Sequence, residues 1–184
     1  MIEQELIDQL AQKSEMAFKW LVESYSKLVF NTILNIVQDE AEAEDAAQEV
    51  FIKIYESISG FRQECSLSTW IYRLAINKAL DKVRRRKTKQ RLQQIVPWWM
   101  PDENKSGKNT FHHPGVMLEK KEKAAVLFKA INSLPEKQKI AFTLIKVQGM
   151  KYDEVSVIME QNIKAIESLI SRAKQNLQQK LKNI

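Results

Sequence analysis

The chain has 184 residues, a net charge of +6 and a hydrophobic fraction of 44%, which exclude a wholly disordered polypeptide. No apolar run approaches the length of about 18 residues that a transmembrane helix needs, and the acidic N-terminus lacks the pattern of a signal peptide. Membrane insertion is therefore not expected. The single cysteine, Cys65, excludes an internal disulfide and predicts a reducing, cytoplasmic setting.

Charge is distributed unevenly along the chain. Residues 1–86 carry 11 Lys/Arg against 14 Asp/Glu, residues 87–123 carry 8 against 4, and residues 124–184 carry 10 against 5. An acidic front and a basic back are compatible with ordinary surface variation. They are also typical of a chain that meets a protein through one part and nucleic acid through the other.

Three helices are predicted in the first half of the chain, because apolar residues recur at spacings of three and four. Asp39 and Glu42 form the pattern of a capping box at the start of the second helix. The predicted helical ranges are 18–37, 39–58 and 68–86. No helix is predicted before residue 18.

Residues 87–123 are predicted to be a flexible, basic linker, because three of the four prolines fall there beside a long polar run. Trp98 and Trp99 would be its apolar anchors. His112 and His113 also lie there and are expected to face solvent rather than to bind a metal. The predicted fold class is all-α, with two small helical domains at 1–86 and 124–184 joined by this linker.

The C-terminal domain has the pattern of a helix-turn-helix. A short helix over 152–159 and a polar turn over 160–162 precede a long helix, whose apolar stripe runs from Ile163 to Leu181. An earlier helix is expected to be capped by Ser133. The polar face of the long helix carries side chains that can reach base edges and phosphates. A plain helical bundle would show the same spacing, so both interpretations stay open on spacing alone.

The second predicted helix has an acidic face. Clustered carboxylates could bind a metal, but no histidine lies nearby to complete a helical di-metal site. A solvated face or a docking surface for a basic protein is therefore favoured. The polar residues of this face are Glu42, Asp45, Gln48, Glu49 and Glu56.

The third predicted helix combines aromatic and basic residues, as single-stranded nucleic acid requires for stacking and for phosphate contact. Its basic end could equally complement the helix dipole, and Trp70 is expected to belong to the core. The polar stripe of this helix consists of Thr69, Arg73, Asn77, Asp81 and Arg84.

Together these segments resemble the extracytoplasmic-function (ECF) group of sigma-70-type sigma factors. Similarity to the promoter-melting domain lies in Asp45-Ala-Ala-Gln-Glu-Val-Phe51, in Phe61-Arg62 and in residues 68–85. Similarity to the second promoter-reading domain lies in residues 133–135, 149–155 and 171–174. The resemblance covers about residues 14–86 and 125–182, in the order and separation that the family has.

The resemblance implies a non-catalytic subunit that binds core RNA polymerase and promoter DNA, with no cofactor or metal. Asp45, Gln48 and Glu49 would contact the clamp helices of the largest polymerase subunit. The −10 element would be bound by Phe61, Arg62, Ser66, Ser68, Arg73, Asn77, Arg84 and Arg85. The −35 element would be bound by Lys164, Glu167, Ser168, Ser171, Arg172 and Lys174. Control is expected to come from another protein, such as an anti-sigma factor.

The sequence departs from the family pattern in the helix-turn-helix. Family members often have glycine in the turn and Thr-Val-Lys-Ser-Arg in the recognition helix, where this chain has Glu160 and Ala-Ile-Glu-Ser-Leu at 165–169. Glu167 stands where the family often has lysine, and Leu169 stands where it often has arginine. Weaker phosphate contact and an altered −35 preference are therefore expected.

Two other classes of protein explain less of the sequence. A one-component helix-turn-helix regulator would explain the C-terminal half but not the acidic helix or the Trp70 helix. A nuclease with Mg²⁺ on the acidic residues would need a second acidic cluster, and the carboxylates at 42, 45 and 49 lie along one helix.

Overall fold

The described parts of the chain fold into helices joined by short turns. The computed structural model covers residues 3–95 and 121–182, with side chains at 3–89 and 126–182. The helices are α1 (Glu3–Ala11), α2 (Glu15–Val37), α3 (Glu40–Ser57), α4 (Leu67–Ile95), α5 (Lys121–Asn132), α6 (Glu136–Phe142), α7 (Tyr152–Met159) and α8 (Ile163–Lys182). The predicted all-α fold class is confirmed.

The N-terminal bundle is built from α2, α3 and α4, which pack against one another. As the sequence predicted, Asp39 caps α3, and its carboxylate accepts a hydrogen bond from the Glu42 N–H at 2.9 Å. Ser14 caps α2 in the same way, through Ala17. The apolar stripes of the three helices meet in a core that includes Leu21, Ile33, Val50, Ile54, Ile71 and Ala75.

The short helix α1 was not predicted. It buries Leu6, Ile7 and Leu10 against the bundle, and it packs against α2 and the 3-10 turn Ile58–Gly60 that follows α3. The Glu3 carboxylate accepts a hydrogen bond from the Leu67 N–H at 2.6 Å. Because Leu67 is the first residue of α4, α1 supplies a capping carboxylate to a helix more than fifty residues away.

Helix α4 continues to Ile95, where the sequence predicted an end at Arg86. The first part of the predicted linker is therefore helical. No Pro or Gly occurs between residues 87 and 95, and Pro97 is the first residue that disfavours helix in its predecessor. Residues 96–120 lie outside the described residues, as do the predictions for Trp98, Trp99, His112 and His113.

The C-terminal bundle contains the predicted helix-turn-helix. Helices α7 and α8 flank the three-residue turn 160–162, and α8 is capped by Asn162, whose side-chain oxygen accepts from the Ala165 N–H at 2.8 Å. A π-helical turn, Thr143–Val147, links α6 to α7. The prediction that Ser133 caps a helix is wrong, because its hydroxyl donates to the Ala130 carbonyl at 2.6 Å and the N-cap position of α6 is occupied by Pro135.

The two bundles pack directly against each other, which the sequence did not predict. The end of α2 and one side of α4 contact the region from α6 to α7. All six residues from Thr32 to Val37 are buried, although consecutive residues of a helix point in all directions. The last turns of α2 are therefore covered on every side, partly by their own bundle and partly by the C-terminal one.

Candidate nucleic-acid and partner interfaces

The acidic face of α3 divides into an exposed part and a paired part. Asp45 and Gln48 are exposed. The Glu49 carboxylate instead forms ion pairs with Lys78 and, at 3.1 Å, with Lys82, both on α4. These lysines lower the pKa of Glu49 below its ordinary value. Of the three residues predicted to bind polymerase, two are open to a partner and Glu49 joins α3 to α4.

Apolar side chains lie on the same outer side of α3. Ile52 is 58% exposed and Tyr55 is 40% exposed. They follow Gln48 by four and seven residues, so they share its face. The sequence analysis missed them, although two large apolar residues in register with a polar face were visible in the sequence. An exposed apolar pair beside carboxylates is typical of a protein-docking surface.

The loop before α4 contains the first residues of the predicted −10 set. Phe61 packs on Trp70 with ring centroids 5.0 Å apart, and both are half-buried at the edge of the core, as expected for Trp70. Arg62 is exposed, with its guanidinium 4.0 Å from the Glu64 carboxylate. The loop thus presents an aromatic pair and an exposed, ion-paired cation at the surface.

Ser66 and Ser68 have structural contacts at the start of α4. The Ser66 hydroxyl accepts from the Thr69 N–H at 3.2 Å, so Ser66 caps the helix. It also lies 3.0 Å from the Ser68 hydroxyl and 2.9 Å from the Thr69 hydroxyl. This cluster fixes the direction in which the loop enters α4.

The rest of the predicted −10 set lies along α4 and divides by partner. Arg73 faces the C-terminal bundle: its guanidinium donates to the Val157 carbonyl at 2.7 Å and forms an ion pair with Glu160 at 2.9 Å. Asn77 is exposed at the edge of a cleft that Glu160 also lines.

Arg84 also reaches the C-terminal bundle. It binds both carboxylate oxygens of Glu136, at 2.5 and 3.2 Å, and this carboxylate raises the pKa of Arg84. Arg85, one residue on, is exposed. Within the predicted −10 set, Arg73 and Arg84 therefore contact the C-terminal bundle, while Asn77 and Arg85 remain accessible.

The outer face of α8 is open along its length. The apolar stripe buries Ile166, Ile170, Ala173 and Leu177, but its two predicted ends, Ile163 and Leu181, are exposed. The residues predicted to meet the −35 element are exposed, with Ser168 half-buried: Lys164, Glu167, Ser168, Ser171, Arg172 and Lys174. One helix face therefore presents cations, hydroxyls and one acid, and none of the described residues covers it.

Neither metal ligands nor a membrane span is found where the chain is described. Among residues 3–95 and 121–182, no three His, Cys, Asp or Glu side chains come close enough to hold a metal ion. None of the helices over those same residues combines the length and the apolar character that crossing a bilayer requires.

A docking face, a loop of aromatic and basic residues and an exposed helix-turn-helix define a DNA-binding protein that also binds another protein. Sequence comparison gives the family. Sigma-70 region 2 matches residues 21–89 and Sigma-70 region 4 matches residues 118–177, together more than two thirds of the chain. The chain belongs to the sigma-70 family, in its ECF group, and is a promoter-recognising transcription initiation factor.

Curated relatives match over nearly their whole length. The RNA polymerase sigma-H factor of Pseudomonas aeruginosa is 28% identical over 183 residues, which cover 97% of this chain and 93% of the relative. The ECF RNA polymerase sigma-E factor of Escherichia coli K12 is 26% identical over 180 residues, covering 97% and 94%.

Solved structures show the same fold. CnrH in complex with the cytosolic domain of CnrY aligns with a TM-score of 0.67 and 18% identity, covering 98% of this chain and 97% of that one. The sigma factor RpoE of Bartonella quintana, in complex with the anti-sigma factor NepR, aligns with a TM-score of 0.64 and 22% identity, covering 90% and 96%.

Proposed function

We propose that this sigma factor acts in the cytoplasm as a non-catalytic subunit, and that separate surfaces bind core polymerase, the −10 element and the −35 element. The observation that carries the proposal is the coexistence, in one chain, of an exposed docking face on α3 and an uncovered recognition face on α8. A one-component regulator needs only the second of these surfaces.

The polymerase-binding surface is assigned to the outer side of α3. Asp45 and Gln48 supply polar contacts, and Ile52 and Tyr55 supply apolar area. Buried apolar area stabilises a complex and rim carboxylates steer the approach of a basic partner. Glu49 contributes to this surface indirectly. Its ion pairs with Lys78 and Lys82 hold α3 against α4 beneath it.

The −10 element is assigned to the loop and to the exposed side of α4. Phe61 beside Trp70 offers an aromatic surface for an unstacked base, and Arg62 and Arg85 offer charges for the backbone. Ser66 and Ser68 hold the loop in place. Asn77 is already accessible, and Arg73 and Arg84 complete the set once the C-terminal bundle moves away from α4.

The −35 element is assigned to α8, which fits a major groove. Lys164, Arg172 and Lys174 would contact phosphates, and Ser168 and Ser171 are short enough to approach base edges. Glu167 lies on the same face and opposes phosphate contact. Because CnrH and RpoE were solved with CnrY and the anti-sigma factor NepR respectively, control of this chain is assigned to an anti-sigma factor.

Run-off transcription with purified core polymerase tests the proposal. The chain and core together are expected to transcribe a subset of a random promoter library, with two enriched elements separated by about two helical turns. Core alone and the chain alone should give no transcripts. Failure to bind core, combined with tight and specific duplex binding by the free chain, would establish the one-component regulator instead.

A further inference from the structure

The sequence of α8 contains five basic residues and a single acid, Glu167. Glu167 is exposed, as are Lys164 three residues before it and Ser171 four residues after it. Residues at these spacings are neighbours on one face of a helix. Lys174, three residues beyond Ser171, continues the same face and is exposed too. The acid therefore lies between cations on the face that is assigned to the −35 element.

Glu167 has no structural role among the described residues. Within residues 3–89 and 126–182, its carboxylate has no hydrogen-bond or ion-pair partner. Glu167 is the fifth residue of α8, whereas the helix dipole favours an acid mainly in the first turn. The residue four positions on is Ser171, so α8 does not pair this acid with a following base. The stability of the helix therefore does not require a carboxylate here.

The same carboxylate lowers the general affinity of α8 for DNA. Cations on a recognition helix gain affinity by displacing counterions from phosphates, whatever the base sequence. A carboxylate between them repels phosphates and weakens this contribution for every duplex alike. It gains a favourable contact only from a base edge that offers a hydrogen-bond donor. Glu167 thus trades general affinity for discrimination between sequences.

The donor pattern of the major groove selects the base that a carboxylate prefers. A carboxylate accepts hydrogen bonds and donates none. Guanine and thymine present acceptors in this groove, whereas cytosine presents its N4 amine and adenine its N6 amine. The adenine amine lies beside the N7 acceptor of the same base, which repels a carboxylate. Cytosine has no such acceptor on its own groove edge, so it is the preferred partner.

We propose that Glu167 determines the −35 preference by accepting a hydrogen bond from the N4 amine of a cytosine. In a helix-turn-helix, the N-terminal residues of the recognition helix contact base edges, and Glu167 lies in the first two turns of α8. Lys164 and Lys174 bind phosphates and hold the carboxylate against the groove. This inference rests on the proposed assignment of α8 to the −35 element and names a base within that element.

A randomised −35 element tests this contact in the holoenzyme, which is core polymerase with the chain. Barcoded templates keep a promoter selected with the native holoenzyme and vary every position of its −35 element. At one position, the native chain should prefer cytosine on one strand over each other base by roughly fivefold to 100-fold. Glu167→Gln should move the preference to adenine, because an amide pairs with N6 and N7. Glu167→Lys should move it to guanine, because an ammonium donates to O6 and N7.

A matched control separates base recognition from charge. Gln179 is exposed on α8 about three turns beyond Glu167, and Gln179→Lys raises the net charge by one, as Glu167→Gln does. Gln179→Lys should leave the base preference unchanged at every position. If it shifts the preference as Glu167→Gln does, or if both variants of Glu167 keep the native preference, the proposal is overturned. A position that depends on residue 167 but favours a base other than cytosine in the native chain would also overturn it.

A base analogue tests the hydrogen bond itself on the native chain. 2-Pyrimidinone is cytosine without its N4 amine, so it removes the donor and leaves the ring in place. Replacing the selected cytosine with 2-pyrimidinone should weaken promoter binding by the native holoenzyme roughly fivefold to 100-fold, in fluorescence anisotropy at fixed salt. A Glu167→Ala holoenzyme should bind both duplexes equally. No loss with the native chain, or the same loss with both chains, would contradict the contact.

Transcription separates this inference from the function on which it rests. Transcription by the native holoenzyme with a −35 preference that does not depend on residue 167 would contradict the cytosine contact and leave the function intact. If the native chain supports no transcription, the proposed function fails, and selection of random duplexes by the free chain tests the same base changes with the same variants. A free chain that selects no duplex would then overturn the cytosine contact as well.

Discussion

Lys139 is a buried lysine at the junction of the two bundles. Its ammonium donates to the Ile36 carbonyl and, at 3.1 Å, to the Asn132 side chain. Burial lowers its pKa to about 8, and repulsion from Lys87 and Arg86 adds to the effect while Glu136 opposes it. Two hydrogen bonds hold the ammonium in place, but they do not fully replace its hydration.

Stability should therefore rise with pH through the range in which Lys139 loses its proton in the folded chain only. Its pKa is about 8 when folded and 10.5 when unfolded. Between these values the unfolded chain binds more protons, so the free energy of unfolding increases with pH. From pH 8 to pH 10 the gain attributable to this lysine is about 2 kcal/mol. Urea unfolding of the native chain and of Lys139→Met should differ by this slope.

Lys137→Met is the control for this measurement, because Lys137 is exposed two residues away. Its pH profile should run parallel to that of the native chain, since the substitution leaves the buried Lys139 ammonium and its contacts in place. A Lys139→Met profile that is also parallel to the native one would show that Lys139 keeps its ordinary pKa.

At the scale of elements, α3 carries two carboxylates with different roles. Glu49 stabilises the fold, and Asp45 is proposed to bind polymerase. Glu49→Gln removes the ion pairs to Lys78 and Lys82 and should lower the free energy of unfolding by about 0.5–1 kcal/mol, since the pairs are partly exposed. Because the pKa of Glu49 is lowered in the folded chain, this contribution should disappear as the pH falls below its unfolded value of about 4.5. Chemical unfolding at pH 7 and pH 3 measures it.

Asp45→Asn is the complementary substitution on the same helix. It should leave stability within about 0.5 kcal/mol, because surface changes away from specific contacts are usually small. It should nevertheless weaken binding to core polymerase, mainly by slowing association, and more so at low salt. Equal effects of the two substitutions on core affinity, with no difference in stability, would contradict the division of α3 into two parts.

Amphipathic helices were predictable from the sequence wherever one stripe faces one core. The spacing in α2, α3, α7 and α8 predicted all four helices, because burial of a single stripe leaves a period of 3.6 residues. Helix α1 also has apolar residues at helical spacing, Leu6, Ile7 and Leu10, but it was not predicted. The residues that extend α4 to Ile95 are mostly charged or polar, so they show no apolar stripe. The absence of Pro and Gly among them was the available sign that the helix continues.

Contacts between elements were less predictable than the elements. Exposure of Lys164, Ser171 and Arg172 follows from their place opposite a buried stripe, and the sequence predicted it. The partners of Arg73 and Arg84 depend on the position of the C-terminal bundle. The spacing of residues within α4 does not indicate that position. The apolar pairs Ile33-Leu34 and Ile36-Val37, which flank Asn35 and point to different sides of α2, were the signal of the contact, since a helix buried all round needs a second neighbour.

At the scale of the whole molecule, the two bundles lie closer together in this structure than promoter reading requires. Arg73 of the −10 set and Glu160, beside the −35 helix, are 2.9 Å apart. Elements two helical turns apart on DNA are roughly 70 Å apart, at about 34–36 Å per turn. Covalent geometry permits the change, because the 25 residues between α4 and α5 can span at most roughly 85 Å.

The free chain should therefore bind duplex promoter DNA weakly, and core polymerase should raise both affinity and specificity. The C-terminal bundle holds Arg73 and Arg84 of the −10 set, and opening the contact between the bundles costs free energy that polymerase binding offsets. Fluorescence anisotropy with a selected promoter duplex, with and without core and at one salt concentration, should show a gain of at least about 100-fold. A scrambled duplex of equal length should gain much less. Equal promoter affinity with and without core would mean that the contact between the two bundles does not limit DNA binding.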